Sequence, residues 1–195
     1  MRIHLPLLFA AALPAAANPQ TTNVNSAFTV GGNVPVFCAV GAPTLAAGRQ
    51  VNFRGLNGST LQIDQLVDSV SLSTNAASVE LRFDSVCNLR HRLKLETQNN
   101  GLWPTSERGS VRPEGFGNAV PYRARISRAA QSLDLNADAR TRRIAESSLY
   151  VDGAAIGEIM LRLEIDPGVT NVQANAPLVA GVYGDTLRII VEPQQ

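Results

Sequence analysis

The chain has 195 residues, 45% apolar and 5% aromatic, with 17 Lys and Arg against 16 Asp and Glu for a formal charge of +1. That length suits one ordinary domain with its own core. So even a charge balance excludes a binder that relies on a strongly basic face to hold nucleic acid or an anionic membrane.

The first residues read as a secretory signal peptide over 1–17. Arg2 supplies the positive charge, Leu5 to Ala12 the short apolar region, and Ala15-Ala16-Ala17 the small-residue cleavage site. The apolar stretch is well short of the roughly 20 residues that cross a bilayer. A mature chain starting near Asn18 keeps about 178 residues, loses Arg2 and so becomes formally neutral. It is expected outside the cytoplasm.

Behind the signal, apolar side chains fall on even positions: Val24, Phe28, Val30, Val34, Val36, Cys38 and Val40. Period two marks half-buried β-strands. The Gly31-Gly32-Asn33 break splits the run into an N-terminal extension over 18–32 and a first domain strand, Asn33 to Val40. The domain proper is then 33–195. Gly41 to Gln50, rich in Gly, Ala and Pro, reads as a loop, and Val51-Asn52-Phe53 as a short strand ended by Gly55 and Asn57-Gly58. Residues 61–73 suit either a helix (Ile63, Val67, Val70) or a short strand (Val70, Leu72).

Val79, Leu81, Phe83 and Cys87 share one face opposite Glu80, Arg82 and Asp84. Asn88 to His91 follows as a turn, and Leu93 and Leu95 alternate with Arg92, Lys94 and Glu96, which predicts a β-hairpin. Gln98 to Asn118 reads as a long surface loop. Val120, Tyr122, Ala124 and Ile126 form another alternating strand. Residues 129–148 suit a helix by their Ala, Arg and Glu content, or an irregular insertion. Ile159, Leu161, Leu163 and Ile165 form a strand closed by Asp166-Pro167-Gly168. Tyr183, Leu187, Ile189 and Val191 share a face of the last strand, Asp185 to Glu192, which runs into Pro193. Six or seven antiparallel strands indicate an all-β, immunoglobulin-like β-sandwich. It begins with a spare strand and ends on an edge that lacks a partner.

Cys38 and Cys87 are the only cysteines. In an exported chain an even count implies a disulfide, and both lie on inward strand faces. Closing a loop of about 50 residues contributes on the order of 4 kcal/mol in the chain-entropy account.

The order of Cys38, Cys87 and a terminal Gly181, Tyr183, Asp185, Thr186 strand resembles the spore coat protein U domain, which is similar to archaic chaperone–usher pilus subunits. Val51-Asn52-Phe53-Arg54-Gly55 is similar to the family's short Asn-Phe-Gly segment, with Arg54 inserted. The resemblance implies an immunoglobulin fold missing its last strand and complemented by an N-terminal donor strand. A periplasmic chaperone fills the groove first, an outer-membrane usher assembles the subunits, and the next pilin subunit's N-terminal strand replaces the chaperone. Val24, Ser26, Phe28 and Val30 would be the donor residues. Burying Val24, Phe28 and Val30 is worth roughly 1.5–3 kcal/mol each before ordering costs. Two other readings are open: residues 20–30 fold back as a strand of their own domain, or the protein is a self-contained binding module that does not polymerise.

Chemistry is scarce in this sequence. His91 is the one histidine of the mature chain and, set in a turn between Arg90 and Arg92, reads as solvated. There is no Gly-x-Ser-x-Gly, no His-Glu-x-x-His and no phosphate-binding glycine loop, so no enzyme activity, metal or cofactor is expected. Arg90, Arg92 and Lys94, and Arg140, Arg142 and Arg143, read as solvated strand faces and loops rather than binding patches. Tyr183 reads as a corner tyrosine bonded to nearby backbone, and Trp103 as packing over the sandwich edge or anchoring a carbohydrate or protein.

Overall fold

The computed structural model describes residues 27–106 and 112–194. The chain divides into two units, Met1–Val34 and Pro35–Gln195. The expected signal peptide and the candidate donor residues Val24 and Ser26 lie outside the described residues. Residues 27–34 carry no secondary structure and are exposed throughout.

The second unit is built from strands: β1 (Cys38–Val40), β2 (Thr44–Val51), β3 (Phe53–Asn57), β4 (Thr60–Ile63), β5 (Ala77–Cys87), β6 (His91–Thr97), β7 (Trp103–Pro104), β8 (Tyr122–Arg128), β9 (Gln131–Ala137), β10 (Ala145–Val151), β11 (Ala155–Ile165), β12 (Tyr183–Gly184) and β13 (Leu187–Pro193). No helix occurs among the described residues. The large sheet runs β1-β5-β11-β8-β9, with β2 also on the β1 side of β5. The small sheet runs β10-β6-β13, and all strand pairs in both are antiparallel. Together they form an all-β sandwich whose core joins Val79 and Leu81 of β5, Leu93 and Leu95 of β6, Ile126 of β8, Leu133 and Leu135 of β9, and Ile159 and Leu161 of β11.

Alternation places these residues. Odd positions of β5, β6, β9 and β11 and even positions of β8 point inward, and nearly all of them are buried or half-buried. The outward positions carry ion pairs, among them Arg82–Glu158 at 3.7 Å, Arg125–Asp134 at 2.5 Å and Arg162–Glu164 at 2.5 Å. Each such exposed pair contributes little alone, so burial rather than charge sets the register.

Several expectations are corrected. The first strand is three residues long, not Asn33 to Val40. Pro35 has no N–H to give a ladder, and the Asn88 side chain binds this segment instead, donating to Pro35 O at 2.7 Å and accepting from Phe37 N at 2.9 Å. The stretch Gly41 to Gln50 is mostly strand β2, with a register shift between Leu45 and Gln50 that its glycine and alanines accommodate. The 61–73 stretch holds no helix: β4 ends at Ile63, and the Asp68 carboxylate accepts from Val70 N and Ser71 N in a local turn. Residues 129–148 contain β9 and β10. Buried Leu133, Leu135 and Ala137 alternate with exposed Asp134 and Asn136 there, and tertiary packing overrides the helical composition.

The predicted hairpin between 79–87 and 93–95 does not form. β5 already has β1 and β2 on one edge and β11 on the other. With both edges occupied, Asn88 to Arg90 carries the chain across the core, and β6 starts the opposite sheet.

The disulfide forms as expected: Cys38 and Cys87 are bonded and stand directly opposite one another in the β1–β5 register. Leu95 is fully buried, so Leu95→Ala should cost about 2–5 kcal/mol in denaturant unfolding. Ile156 is 85% exposed, and Ile156→Ala should stay within about 0.5 kcal/mol of the parent.

Candidate functional site

The terminal motif forms a polar knot. The Asp185 carboxylate accepts from the Thr97 hydroxyl, from Asn99 N at 2.9 Å, from Gly101 N at 3.2 Å, from the Tyr122 hydroxyl at 2.9 Å and from Thr186 N at 2.7 Å. It therefore ties the end of β6, the start of β8 and the approach to β13 to one point. Thr97 in turn accepts from Asn100 N at 3.0 Å. Asn100, fully buried, donates to Asp138 from its side chain at 2.5 Å, and its carbonyl accepts from Ala139 N at 2.7 Å. Gly101 adopts φ of 142°, and a Cβ there would meet the Ala139 Cβ at 2.6 Å. Glycine is therefore required. The 99–102 part of the expected surface loop is thus buried or half-buried and structural.

The other motif residues have separate tasks. The Tyr183 hydroxyl donates to Val179 O at 2.7 Å, the corner bond read from the sequence. Thr186 is exposed, but its carbonyl accepts from Gln98 N at 2.9 Å. Gly181 is exposed and makes none of these contacts. Asn52, at φ of 58°, uses its side chain to bind Gln65 on both sides and Ala76 O at 3.1 Å, closing the base of the β3–β4 hairpin.

β13 is one of the two edges of the small sheet, β10 being the other. Among the described residues it is hydrogen-bonded to β6 alone. Its inward side chains Leu187, Ile189 and Val191 are only half-buried, and so are Leu45 of β2 and Phe83 of β5, which belong to the same apolar cluster. On the β8–β9 side, Ile126, Leu133 and Leu135 are fully enclosed. β1 approaches β13 across the two sheets, and the outer backbone edge of β13 has no strand partner among the described residues. The candidate donor residues Phe28 and Val30 are 87% and 85% exposed.

His91 is not solvated. It is fully buried, with Nδ1 2.9 Å from Leu89 O and Nε2 2.7 Å from the Arg128 guanidinium. A guanidinium only donates, so Nε2 accepts and the ring proton sits on Nδ1. Burial pushes the Arg128 pKa down, and its Nη2 has no partner among the described residues. The sequence signal for this pair was the even-position run Tyr122, Ala124, Ile126 continuing to Arg128. Trp103 is half-buried in β7, which pairs with β12.

Three residues of the basic clusters have side-chain partners, Arg92, Lys94 and Arg142. Arg92 pairs with Glu192, Lys94 lies 3.1 Å from Glu96 and 3.2 Å from Glu146, and Arg188 lies 3.1 Å from Glu96. Arg142 donates to Asn99 Oδ1 at 3.0 Å. Among the described residues no group of three or more His, Cys, Asp or Glu is placed to hold a metal, and no helix is long and apolar enough to cross a membrane. No family model matches the chain, and no curated protein matches it.

Burial and the neighbouring Asp185 charge push the Tyr122 hydroxyl pKa well above its ordinary value near 10. A group whose folded pKa is raised contributes stability below its unfolded value and loses it as pH rises. The protein should therefore lose stability above about pH 10, and Tyr122→Phe should flatten that alkaline dependence in pH-resolved thermal melts. Asp185→Ala strands several buried donors at once and should cost on the order of 3 kcal/mol or more at neutral pH.

Proposed function

We propose that this chain is an exported structural or adhesive subunit of a chaperone–usher type of surface fibre, completed by donor-strand exchange. The observation that carries this reading is the β13 edge: a strand paired with β6 alone, its other edge free and its apolar inner face half-covered. An extended peptide laid beside β13 would complete its ladder and cover Leu187, Ile189 and Val191, which is strand addition to a sheet edge. A chaperone would guard that edge after export and an usher would pass the subunit to the surface. In the fibre, the N-terminal segment of another copy, with Phe28 and Val30 on one face, would take the chaperone's place. Exposed apolar edges are otherwise templates for uncontrolled pairing, which gives the chaperone its physical purpose.

A second reading, a self-contained module, draws on the Asp185 knot and the disulfide, which fasten the terminal strand and β1 without any partner.

A peptide covering residues 21–30 separates the two. On the donor-strand reading it should raise the melting temperature of the domain lacking its own extension, through binding to the native state. Phe28→Asp should abolish oligomer formation, because it puts an unpaired charge into an apolar groove. Thr29→Asp, on the other face, should change it little. A well-behaved monomer indifferent to the peptide, with both variants alike, would support the self-contained module.

A further inference from the structure

The outer face of the large sheet is covered by ion pairs except at one end. Ile156 of β11, Val86 of β5 and Ala39 of β1 stand in one register row across three adjacent strands. All three occupy outward positions, since their neighbours in the register, Cys87 and Ser85, are buried inward. Phe37, two residues before Ala39, is also largely exposed, and Ile156 is among the most exposed large apolar side chains described. The next row along is Asp84 opposite Glu158, where the charged surface resumes. An uninterrupted apolar row on a face otherwise laced with Arg–carboxylate pairs marks an interaction surface.

We propose that Phe37, Ala39, Val86 and Ile156 form a contact surface for a second copy of this chain, the copy that grips the N-terminal segment. The inference rests on the donor-strand reading and specifies what the joined copies touch besides the strand itself. The occupant follows from covalent reach. Val30 and Phe37 are seven residues apart in the chain, at most about 25 Å when fully extended. Any copy holding Phe28 and Val30 is therefore kept within that distance of the row. Four side chains fall far short of the roughly 1,200 Å² buried by a stable free interface. Tethering makes the encounter intramolecular, with an effective concentration in the millimolar range, so a small patch suffices. The surface thus works only in joined copies and sets the angle between them.

The test uses the full mature chain with a single introduced thiol, since both native cysteines are bonded to each other. Ile156→Cys carries an environment-sensitive fluorophore, and exposed Ser132→Cys on β9 is the control. Separated by size, oligomers should show blue-shifted emission at position 156 relative to monomers, and no shift at 132. Ile156→Glu should shorten oligomer lifetime at least tenfold while leaving monomer melting unchanged. Oligomers that form through Phe28 but leave the 156 fluorophore unshifted would overturn this surface and spare the donor-strand reading. A fluorophore already shielded in the monomer would place its cover within one chain and overturn it too. If no oligomer forms under any condition, both readings fall.

Discussion

One carboxylate organises the closed end of this sandwich. Asp185 collects five donors from three separated stretches of chain. A half-buried carboxylate is held best where the protein supplies its hydrogen bonds, and the loop over 97–101 adopts a conformation that delivers two backbone N–H groups and a hydroxyl to it. That conformation places Asn100 under the β9–β10 connection, which fixes how the chain crosses from the large sheet to the small one. The last strand thereby starts from a defined point, and β13 can run the length of β6 as an edge without a second neighbour to align it.

The two ends of the sandwich solve opposite electrostatic problems. At the Asp185 end an anion is satisfied by neutral donors. At the other, the Arg128 cation is inside with one neutral acceptor, His91, and an orphan N–H. Buried polar groups of the second kind are expensive, and their position beside the residues that lead into β6 shows where the fold concedes stability. Between these poles the core is made of aliphatic side chains, which explains how a chain with so few aromatics encloses itself.

Alternation carried most of what was legible. β5, β8, β11 and β13 were readable because each presents one apolar face, and the cysteine pair because both positions fall on such faces. Partnership was not readable. Period two reports which way a side chain points, not which edge its strand uses, so Leu81 and Leu93 looked like a hairpin although they sit in opposing sheets. β9 was hidden by composition, since Ala and Arg score as helix formers while Leu133, Leu135 and Ala137 still alternate. His91 reads as solvated from its turn setting, but it is fully buried where the chain crosses between layers. Of the terminal motif, Tyr183 was anticipated with its backbone bond, whereas nothing in the local spacing announced that Asp185 would reach Tyr122 and Thr97, both far away in sequence.

The bond between Cys38 and Cys87 has a mechanical consequence. Residues 27–34 join the sandwich through Pro35 to Phe37, which the Asn88 side chain holds, and β1 itself is three residues long. Hydrogen bonds that few would unzip one after another under a steady pull. Tension arriving from the N-terminal side meets a covalent link at the first residue of β1, and that link hands the load to β5, an interior strand flanked on both edges. The load then reaches the eleven-residue β5–β11 ladder instead of a three-residue strand. Any traction on the N-terminal segment is borne by the middle of the large sheet, and the short strand at its margin is spared.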